Sequence, residues 1–505
     1  MNDRSNLTKR IHIALLVMGA VIFASVSLSG NIWFDECYSV AAVSHSVFEM
    51  PKILLDDVHP FLYYVLLKAV SLLTGGNFTA MRLFSALGMW TLALAGYTHV
   101  RAHLSEKAGL LFTLFTIISP ASIKYACEIR MYSWGAVFVF FSAFYAYLSV
   151  KNNFSSRRHG ILFVIFSVAA AYMHYYGLVT VCVINAFVIV GTVIRKVSVK
   201  SLILHAASEL ALYIPGAVIF LIQVSRVAAG EYWIRVKYPD VLLQTMSYSL
   251  TGGDSYWDTY MSSAIFNTIV GIATLLFLLT AAGIVYSVIK HRNDDKSALP
   301  AALALGVFVG VVACGLVVSI FKEFYYVRYS MLMHGLLLFA LAYAASRIKY
   351  KSALAAVIAV VTVASAAVMI PFYGAMYNGD AANAKAALSE AFKEGDVLVY
   401  NQLTPGSVVT RMLPEAEQYF YSPKMEAYPR AYTAFEPSLT TVADADDLPR
   451  DIDGRLWVMV DEWGSEKFMA TLYDTYPSLE ITDEFRVSIK YRNNNFRFFI
   501  CNING

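Results

Sequence analysis

Long apolar segments alternate with short polar connections along the chain up to residue 370. A helix needs roughly 20 apolar residues to cross a bilayer, and about eleven segments approach or reach that length. They cover residues 11–28, 82–100, 108–126, 132–150, 161–173, 178–194, 202–224, 264–289, 299–321, 329–345 and 354–370. The pattern therefore predicts a polytopic α-helical membrane protein with about eleven transmembrane helices.

Basic residues collect in every second connection between these segments, which predicts the orientation of the chain. Cytoplasmic loops carry an excess of Lys and Arg, so we expect the N-terminus in the cytoplasm and the C-terminus outside. The segment 61–74 has about 14 residues, which suits a re-entrant or interfacial helix, since a crossing there would reverse every later loop. The cytoplasmic set comprises Arg4, Lys9, Arg10, Arg101, His103, Lys107, Lys151, Arg157, Arg158, Arg195, Lys196, Lys200, Lys290, His291, Arg292, Lys296, Arg347, Lys349 and Lys351.

Beyond Pro371 the apolar pattern gives way to short alternating elements. Residues 381–393 and 466–476 have the periodicity of amphipathic helices, and 397–400 and 455–460 are apolar runs typical of buried strands. Residues 485–491 and 496–501 flank a turn-like Asn493-Asn494-Asn495, which predicts a hairpin. We therefore expect two domains: a membrane domain over 1–370, with a first outer loop at 31–60, and an extracytoplasmic α/β domain over 371–505.

Composition supports the membrane assignment and excludes a soluble protein. Of the 505 residues, 58% are hydrophobic and only 15% are charged, whereas soluble proteins carry about 25% charged residues. The mean hydropathy is +0.56. The formal net charge of +3 gives no reason to expect a nucleic-acid partner, and the five cysteines lack metal-binding spacing.

The first outer loop holds an unusual density of ionisable residues for a chain of this composition. Asp35-Glu36 and Asp56-Asp57 lie within it, and His59 follows. Carboxylates close to a bilayer are costly, so they indicate a site. A carboxylate at this position could take a proton from a hydroxyl group. The alternative is a solvated acidic pair at a helix end.

The Asp57-x-His59-Pro60 element has two further explanations. Pro60 fits the first turn of the following helix, and acidic residues just before it would favour the helix N-terminus. That capping role accounts for Asp56 and Asp57 but less well for His59. Two acidic sites and an imidazole could also hold a divalent cation, although no ligand spacing requires one.

Cationic and aromatic residues gather at the outer ends of three pairs of spans. Lys124 and Glu128 are four residues apart and could pair on one helical face. Arg130 has no such local partner, and a guanidinium suits bidentate phosphate binding. The alternatives for the remaining residues are interfacial or snorkelling side chains. Together the three sites predict a pocket for an anionic lipid head beside a carboxylate base. They comprise Lys124, Tyr125, Glu128, Arg130 and Tyr132; His174, Tyr175 and Tyr176; and Lys322, Arg328 and Tyr329.

The order of these motifs resembles that of bacterial glycosyltransferases of family 39. The resemblance covers roughly residues 33–345 and extends to the subgroup of rhizobial lipopolysaccharide sugar transferases. Protein O-mannosyltransferases and the lipid A aminoarabinose transferase are related to them. The motifs are Trp33-x-Asp35-Glu36, Asp57-x-His59-Pro60-x-Leu62-Tyr63-Tyr64, Glu128-x-Arg130-x-Tyr132, His174-Tyr175-Tyr176-Gly177 and Arg328-Tyr329.

This resemblance implies a C-type glycosyltransferase (GT-C) fold in a bacterial plasma membrane. It also implies inverting transfer of a sugar from a polyprenyl-phosphate donor to a lipid, glycan or protein acceptor at the periplasmic face. Phe61 departs from the family pattern, which usually has a second proline there. By the match, Asp35 is the base, Glu36 and Asp57 shape the acceptor and donor sites, and Arg130, His174 and Arg328 contact the donor phosphate. The remaining donor-site candidates are His59, Lys124, Tyr125, Glu128, Tyr132, Tyr175, Tyr176, Lys322 and Tyr329.

Two other functions deserve comparison with a transferase. A transporter or flippase for a lipid-linked substrate would place ionisable residues or broken helices near the bilayer midplane, often in repeated halves. Here the span interiors are nearly free of charge, with Glu209 the clearest exception, and no repeat is evident. A receptor-like binding module on a passive anchor would leave the groups around Asp35 and Arg130 unexplained.

Overall fold

The chain forms two compact units in a computed structural model. The structure describes residues 2–197, 199–228, 234–253, 257–290, 298–423, 431–460 and 465–503. The first unit, which we call the membrane unit, comprises Met1–Leu28, His59–Leu221 and Trp233–Pro371. The second comprises Ser29–Val58, Ile222–Tyr232 and Phe372–Gly505. The first loop thus groups with the C-terminal residues.

Helices account for most of the described chain. In order they are α1 (Asn2–Ser25), α2 (Phe34–Ser44), α3 (Met50–Leu55), α4 (Leu62–Thr74), α5 (Phe78–Ala95), α6 (Arg101–His103), α7 (Glu106–Ile118), α8 (Pro120–Cys127), α9 (Tyr132–Lys151), α10 (Arg157–Met173), α11 (Tyr175–Ile194), α12 (Val199–Ala228), α13 (Asp240–Met246), α14 (Tyr248–Thr251), α15 (Trp257–Tyr260), α16 (Ser263–Lys290), α17 (Leu299–Phe321), α18 (His334–Ser346), α19 (Lys351–Tyr377), α20 (Asp380–Ala391), α21 (Leu403–Met412) and α22 (Ser465–Thr475).

Nine helical segments of the described chain are long and apolar enough to cross a membrane, and they match nine of the predicted spans. The third predicted span is a pair, α7 and α8, bent by 57°. The fifth is α10, whose 17 residues extend only about 26 Å, slightly less than a typical hydrocarbon core. The predicted short helix at 61–74 is α4, with 13 residues. Three predicted cytoplasmic residues, His291, Arg292 and Lys296, lie outside the described residues.

The bend between α7 and α8 has an identifiable cause. Ser119 is extended and Pro120 opens α8, where a proline lacks only a hydrogen bond that the first turn does not make. The Ser119 hydroxyl donates to the carbonyl of Ser249 at 2.5 Å. The Nε2 of His334 lies 3.2 Å from the hydroxyls of both Ser119 and Ser122. These buried hydrogen bonds fix the break, which redirects α8 and the site residues that it carries.

Glu209 has a hydrogen-bond partner within the membrane unit. The side-chain amide of Asn185 on α11 donates to Oε2 of Glu209 on α12 at 2.7 Å. Polar side chains commonly link neighbouring transmembrane helices in this way. Glu209, the acidic residue inside a predicted span, therefore has a structural role: it links α12 to α11.

The C-terminal residues build the small α/β domain that the pattern predicts. Both predicted helices are present as α20 and α22, and the predicted strands and hairpin correspond to β1, β4, β5 and β6. Helix α21 and strands β2 and β3 were not predicted. The sheet has six strands in the order β3-β2-β1-β4-β6-β5, with β1 parallel to β2 and β4 and β6 antiparallel to β4 and β5. The strands are β1 (Val397–Tyr400), β2 (Glu417–Tyr421), β3 (Thr440–Val442), β4 (Leu456–Val460), β5 (Glu480–Ile489) and β6 (Asn494–Asn502).

A buried carboxylate ties the two central strands together. Asp396, just before β1, accepts hydrogen bonds from the Arg455 guanidinium at 2.5 Å and from the Trp457 indole at 3.0 Å. Burial alone would raise the pKa of Asp396, but the hydrogen bonds from Arg455 and the backbone of Lys393 hold it below its ordinary value. The charged pair therefore helps to set the start of β1 against β4.

Candidate functional site

Arg130 is the centre of a polar cluster in the membrane unit. It lies in the turn between α8 and α9 and is buried, with 4% of its surface exposed. Its guanidinium donates to the Tyr64 hydroxyl at 3.3 Å, and its Nη2 lies 3.2 Å from Nε2 of His59. A guanidinium only donates, so this nitrogen of His59 accepts. The turn thereby connects Arg130 to the start of α4.

His174 lies in the same cluster, between α10 and α11. It is extended, with φ −161° and ψ 147°, and its Nδ1 accepts a hydrogen bond from the backbone N–H of Tyr176 at 3.0 Å. It therefore acts as the N-cap of α11. Its ring centroid is 5.4 Å from that of His59, 5.8 Å from that of Tyr132 and 4.9 Å from that of Tyr329.

The environment of His174 determines its protonation. Burial lowers its pKa well below the ordinary value, and the nearby charges of Arg130 and Arg328 lower it further. The ring is therefore neutral at pH 7. Because Nδ1 accepts from Tyr176, the proton of the neutral ring is on Nε2.

That Nε2–H group is buried, and within the part of the chain that the structure describes it has no hydrogen-bond partner. Buried polar groups are almost always hydrogen-bonded, so each exception calls for an explanation. A ligand atom that accepts a hydrogen bond from His174 would satisfy it.

Arg328 approaches the cluster from the segment between α17 and α18. It belongs to a 3₁₀ turn, Val327–Met333, and its carbonyl accepts a hydrogen bond from the Tyr248 hydroxyl at 3.3 Å. Its guanidinium carbon lies 5.3 Å from the ring centroid of Tyr326, within cation–π range. The next residue, Tyr329, stacks on Tyr176 with centroids 4.5 Å apart. We call His59, Arg130, His174 and Arg328 the cationic cluster.

Glu128 lies just beyond the helix that carries Lys124, so the two residues do not belong to one continuous helix as their spacing predicts. Helix α8 ends at Cys127, and Glu128 is extended, with ψ 129°. The Lys124 ammonium lies 3.4 Å from the carbonyl of Gly252 and 4.8 Å from the ring centroid of Tyr125. The ring of Tyr125 in turn contacts that of Tyr132 at 5.1 Å. Lys124 is therefore linked to the cluster through two tyrosines.

Two predicted site residues have other surroundings. The ring of Tyr175 packs against Phe220 of α12, with centroids 4.9 Å apart. Lys322 is exposed at the C-terminal end of α17, where a long cationic side chain can reach solvent or lipid headgroups.

The predicted acidic residues of the first loop belong to the second unit. Asp35 and Glu36 form the first turn of α2. Asp35 is partly exposed, whereas Glu36 is completely buried. A carboxylate that must exchange a proton with a substrate needs access, which Asp35 has. Asp57 is also buried, in the turn after α3.

The capping explanation does not hold for Asp56. Asp56 ends α3 and forms an ion pair with Arg226. Helix α4 begins at Leu62 with Phe61 as its N-cap, so Pro60 precedes the helix and does not lie in its first turn. Among the described residues, no group of three or more His, Cys, Asp or Glu side chains is arranged to hold a metal ion.

An apolar cavity of about 700 Å³ runs along α18 in the membrane unit. Ser119 and Ser249 line it near the start of α18, and Arg347 and Lys290 line it near the end. Leucine, valine and alanine side chains of α16, α18 and α19 supply much of the remaining wall. Such a lining suits a hydrocarbon chain.

The sequence motifs predict no role for three residues that contact the predicted site residues or Trp33. Tyr64 appeared only as part of a motif, yet it contacts Arg130 directly. Tyr248 contacts the carbonyl of Arg328 only through the fold, and no motif around Tyr248 in the sequence predicts this contact. Arg492 lies against Trp33 in the second unit, and only its position beside the predicted hairpin turn marked it.

The chain has the fold of the C-type glycosyltransferases, as the resemblance implied. ArnT from Cupriavidus metallidurans in the apo state is similar with a TM-score of 0.50 and 14% identity, over 97% of each chain. The same ArnT bound to undecaprenyl phosphate gives 0.48 and 12%, over 98% of each chain. The oligosaccharyltransferase AglB from Archaeoglobus fulgidus, in complex with an inhibitory peptide and a dolichol-phosphate, gives 0.45 and 11%, over 92% of this chain and 71% of AglB.

Comparison with protein-family models finds no match, and comparison with curated protein sequences finds none either. Assignment to family 39 therefore stays a prediction.

Proposed function

We propose that this protein is an inverting glycosyltransferase of the bacterial plasma membrane. It moves a sugar from a polyprenyl-phosphate donor to an acceptor hydroxyl on a lipid, a glycan or a protein at the outer face. The observation that carries the proposal is the cationic cluster, in which Nε2 of His174 is buried without a hydrogen-bond partner among the described residues and the charges of Arg130 and Arg328 act on the His174 ring. The GT-C fold is consistent with it.

The cationic cluster suits the phosphate of the donor. Arg130 and Arg328 can each offer two parallel N–H groups to phosphate oxygens. His174 adds a neutral donor that requires no change of protonation. Such groups act strongly in a buried site, where the surroundings screen charge less than water does. They are fixed before the reaction, so they also stabilise the negative charge that develops on the departing phosphate.

Asp35 acts as the base in this mechanism. Its carboxylate takes the proton of the acceptor hydroxyl while the acceptor oxygen forms a bond to the anomeric carbon of the sugar. The bond from that carbon to the phosphate oxygen breaks, and its electron pair leaves on polyprenyl phosphate. The leaving group is a stable anion, so one carboxylate suffices and the configuration inverts, whereas glycoside hydrolases need two carboxyl groups.

Glu36 and Asp57 have supporting roles in this scheme. Glu36 is completely buried beside Asp35 in the first turn of α2, and we propose that it shapes the acceptor site. Asp57 shapes the donor site. The isoprenoid chain of the donor is assigned to the cavity along α18, whose Ser119 end belongs to the same bent span as Lys124.

The test uses purified protein with a panel of polyprenyl-phosphate sugars and measures free polyprenyl phosphate and the anomeric configuration of the product. Release of polyprenyl phosphate from at least one donor, with inversion at the sugar, supports the proposal. If donors bind but none is consumed, while reconstituted vesicles move the lipid across the membrane, the protein is a transporter.

A further inference from the structure

Arg492 has an unusual backbone conformation in the second unit. It lies in the turn between β5 and β6 with φ +60° and ψ 17°, in the left-handed region. For a residue with a Cβ atom this conformation is sterically unfavourable. Strained residues of this kind persist where the surroundings determine them, and they concentrate at functional sites. Arg492 is also buried, with 4% of its surface exposed.

The side chain of Arg492 covers Trp33. Its guanidinium carbon lies 4.3 Å from the ring centroid of Trp33 and 5.7 Å from that of Tyr491. A guanidinium over an indole face is a favourable cation–π arrangement, and it strengthens when the pair is shielded from water. Trp33 itself is 8% exposed, so this pair is shielded.

Trp33 occupies the position at which the helix carrying Asp35 begins. It is the N-cap of α2 and supplies no side-chain hydrogen bond to the helix, because an indole can only donate. Most N-cap residues fix the first turn through a side-chain oxygen. Here the first turn, with Asp35 and Glu36, starts at a residue whose ring is fixed by Arg492.

Other contacts attach the flanks of α2 to the C-terminal residues. Before the helix, the Asn31 side chain donates to the carbonyl of Met376 at 2.6 Å. Within it, Tyr38 contacts the ring of Phe435 at 6.4 Å. After it, Nε2 of His45 lies 2.8 Å from the carbonyl of Ala434. The loop bearing Asp35 is therefore attached to the C-terminal domain along its length, and Arg492 acts at the end where Asp35 lies.

We propose that Arg492 is a positioning residue for the transfer reaction. By fixing Trp33 it sets the first turn of α2, and with it the carboxylate of Asp35. This gives the C-terminal domain a part in the chemistry. The inference rests on the proposed function of Asp35 as the base. Stability alone would favour glycine or asparagine at this φ and would avoid burying a cation, so the arginine indicates a positioning role.

The test compares Arg492→Gly with a matched control, Arg497→Ala. Glycine accepts the left-handed conformation, so the turn is kept and only the side chain is lost. Arg497, in the same hairpin, lies over Phe499 at 4.7 Å and pairs with Glu484, and its side chain is 44% exposed. We measure thermal unfolding, kcat and KM for the donor, and amide hydrogen exchange over residues 31–44.

For Arg492→Gly we expect unchanged or higher thermal stability, a kcat at least about tenfold lower at unchanged donor KM, and faster exchange at the start of α2. Arg492→Lys should restore part of the kcat, because it keeps the charge but loses the planar stacking. Arg497→Ala should match the wild type in all three measurements. Unchanged kcat in Arg492→Gly overturns the inference, and so does unchanged hydrogen exchange.

A second variant distinguishes loss of the contact between Arg492 and Trp33 from a general folding defect. Trp33→Leu removes the ring face, and it should lower kcat as Arg492→Gly does, with little further loss in the double variant, because both remove one interaction. Fully additive losses overturn the inference. Failure of the proposed function looks different: the wild type then releases no polyprenyl phosphate, while the exchange measurement still decides whether Arg492 fixes α2.

Discussion

His174 performs two separable tasks, and substitutions can remove them one at a time. Its Nδ1 caps α11 by accepting the N–H of Tyr176, and its Nε2–H is directed to the donor phosphate in the proposed mechanism. Asparagine places an oxygen near the Nδ1 position and is a favoured N-cap, so His174→Asn keeps the cap and loses the donor. Glutamine places an N–H near the Nε2 position, so His174→Gln keeps the donor and loses the cap.

The expected losses of donor affinity and of stability follow from these two contacts. A hydrogen bond to a charged group contributes about 1.5–3 kcal/mol, which corresponds to about a 10- to 150-fold change in affinity. His174→Asn should therefore weaken donor binding by that factor. Losing an N-cap costs about 1 kcal/mol of stability, so His174→Gln should unfold at a lower temperature while it binds the donor more tightly than His174→Asn. His174→Ala should show both defects.

The assay pairs two measurements on each purified variant. Calorimetric titration with a non-hydrolysable polyprenyl-phosphate sugar analogue gives the donor affinity, and thermal unfolding gives the stability. Wild-type affinity in His174→Asn would refute the reasoning, because it would mean that the buried Nε2–H group does not contact the phosphate. Equal affinity losses in the asparagine and glutamine variants would refute it as well.

Two further predictions concern the same cluster. In His59→Gln, donor affinity should change by no more than about twofold between pH 8 and pH 6, because the pKa of His174 lies below its ordinary value and the sugar phosphodiester keeps one charge. Titration of the wild type and of His59→Gln checks this, and a steady rise in affinity as the pH falls would show that an imidazolium is required. Arg328→Ala should weaken donor binding by about tenfold or more, and Arg328→Lys by less, since lysine keeps the charge but loses the fork. Titration of both variants decides it: equal losses would assign the effect to the bidentate contact, and no loss in either would remove Arg328 from the site.

The spans were predictable because their length and apolar character are local properties of the sequence. The bend between α7 and α8 was not, although Pro120 marks its position, because Ser249 and His334 fix it from distant parts of the chain. The same applies to Lys124 and Glu128. Their spacing predicted a helical pair, and the structure ends α8 between them.

Several residues that the motifs single out meet in the cluster, since polar residues at span ends are conspicuous in an apolar chain. Their mutual contacts depend on tertiary packing, which is why Tyr64 and Tyr248 were given no role. In the C-terminal domain, β1 and β4 are continuous buried runs and were found. Strand β2 mixes polar and aromatic residues, and β3 has only three residues, so neither gave a clear periodic signal. Trp33, which Arg492 contacts, lies near the opposite end of the sequence, so no local pattern could predict the pair.

The most direct measurement of the central claim compares donor binding and donor turnover in Asp35→Asn. Asp56→Asn is the matched control, because Asp56 lies in the same loop and pairs with Arg226. Loss of a general base typically lowers the rate by about 10²- to 10⁴-fold. We predict that Asp35→Asn binds the donor as the wild type does and releases polyprenyl phosphate slower by this factor, while Asp56→Asn keeps its rate. Wild-type turnover by Asp35→Asn, with any donor in the panel, would contradict the account.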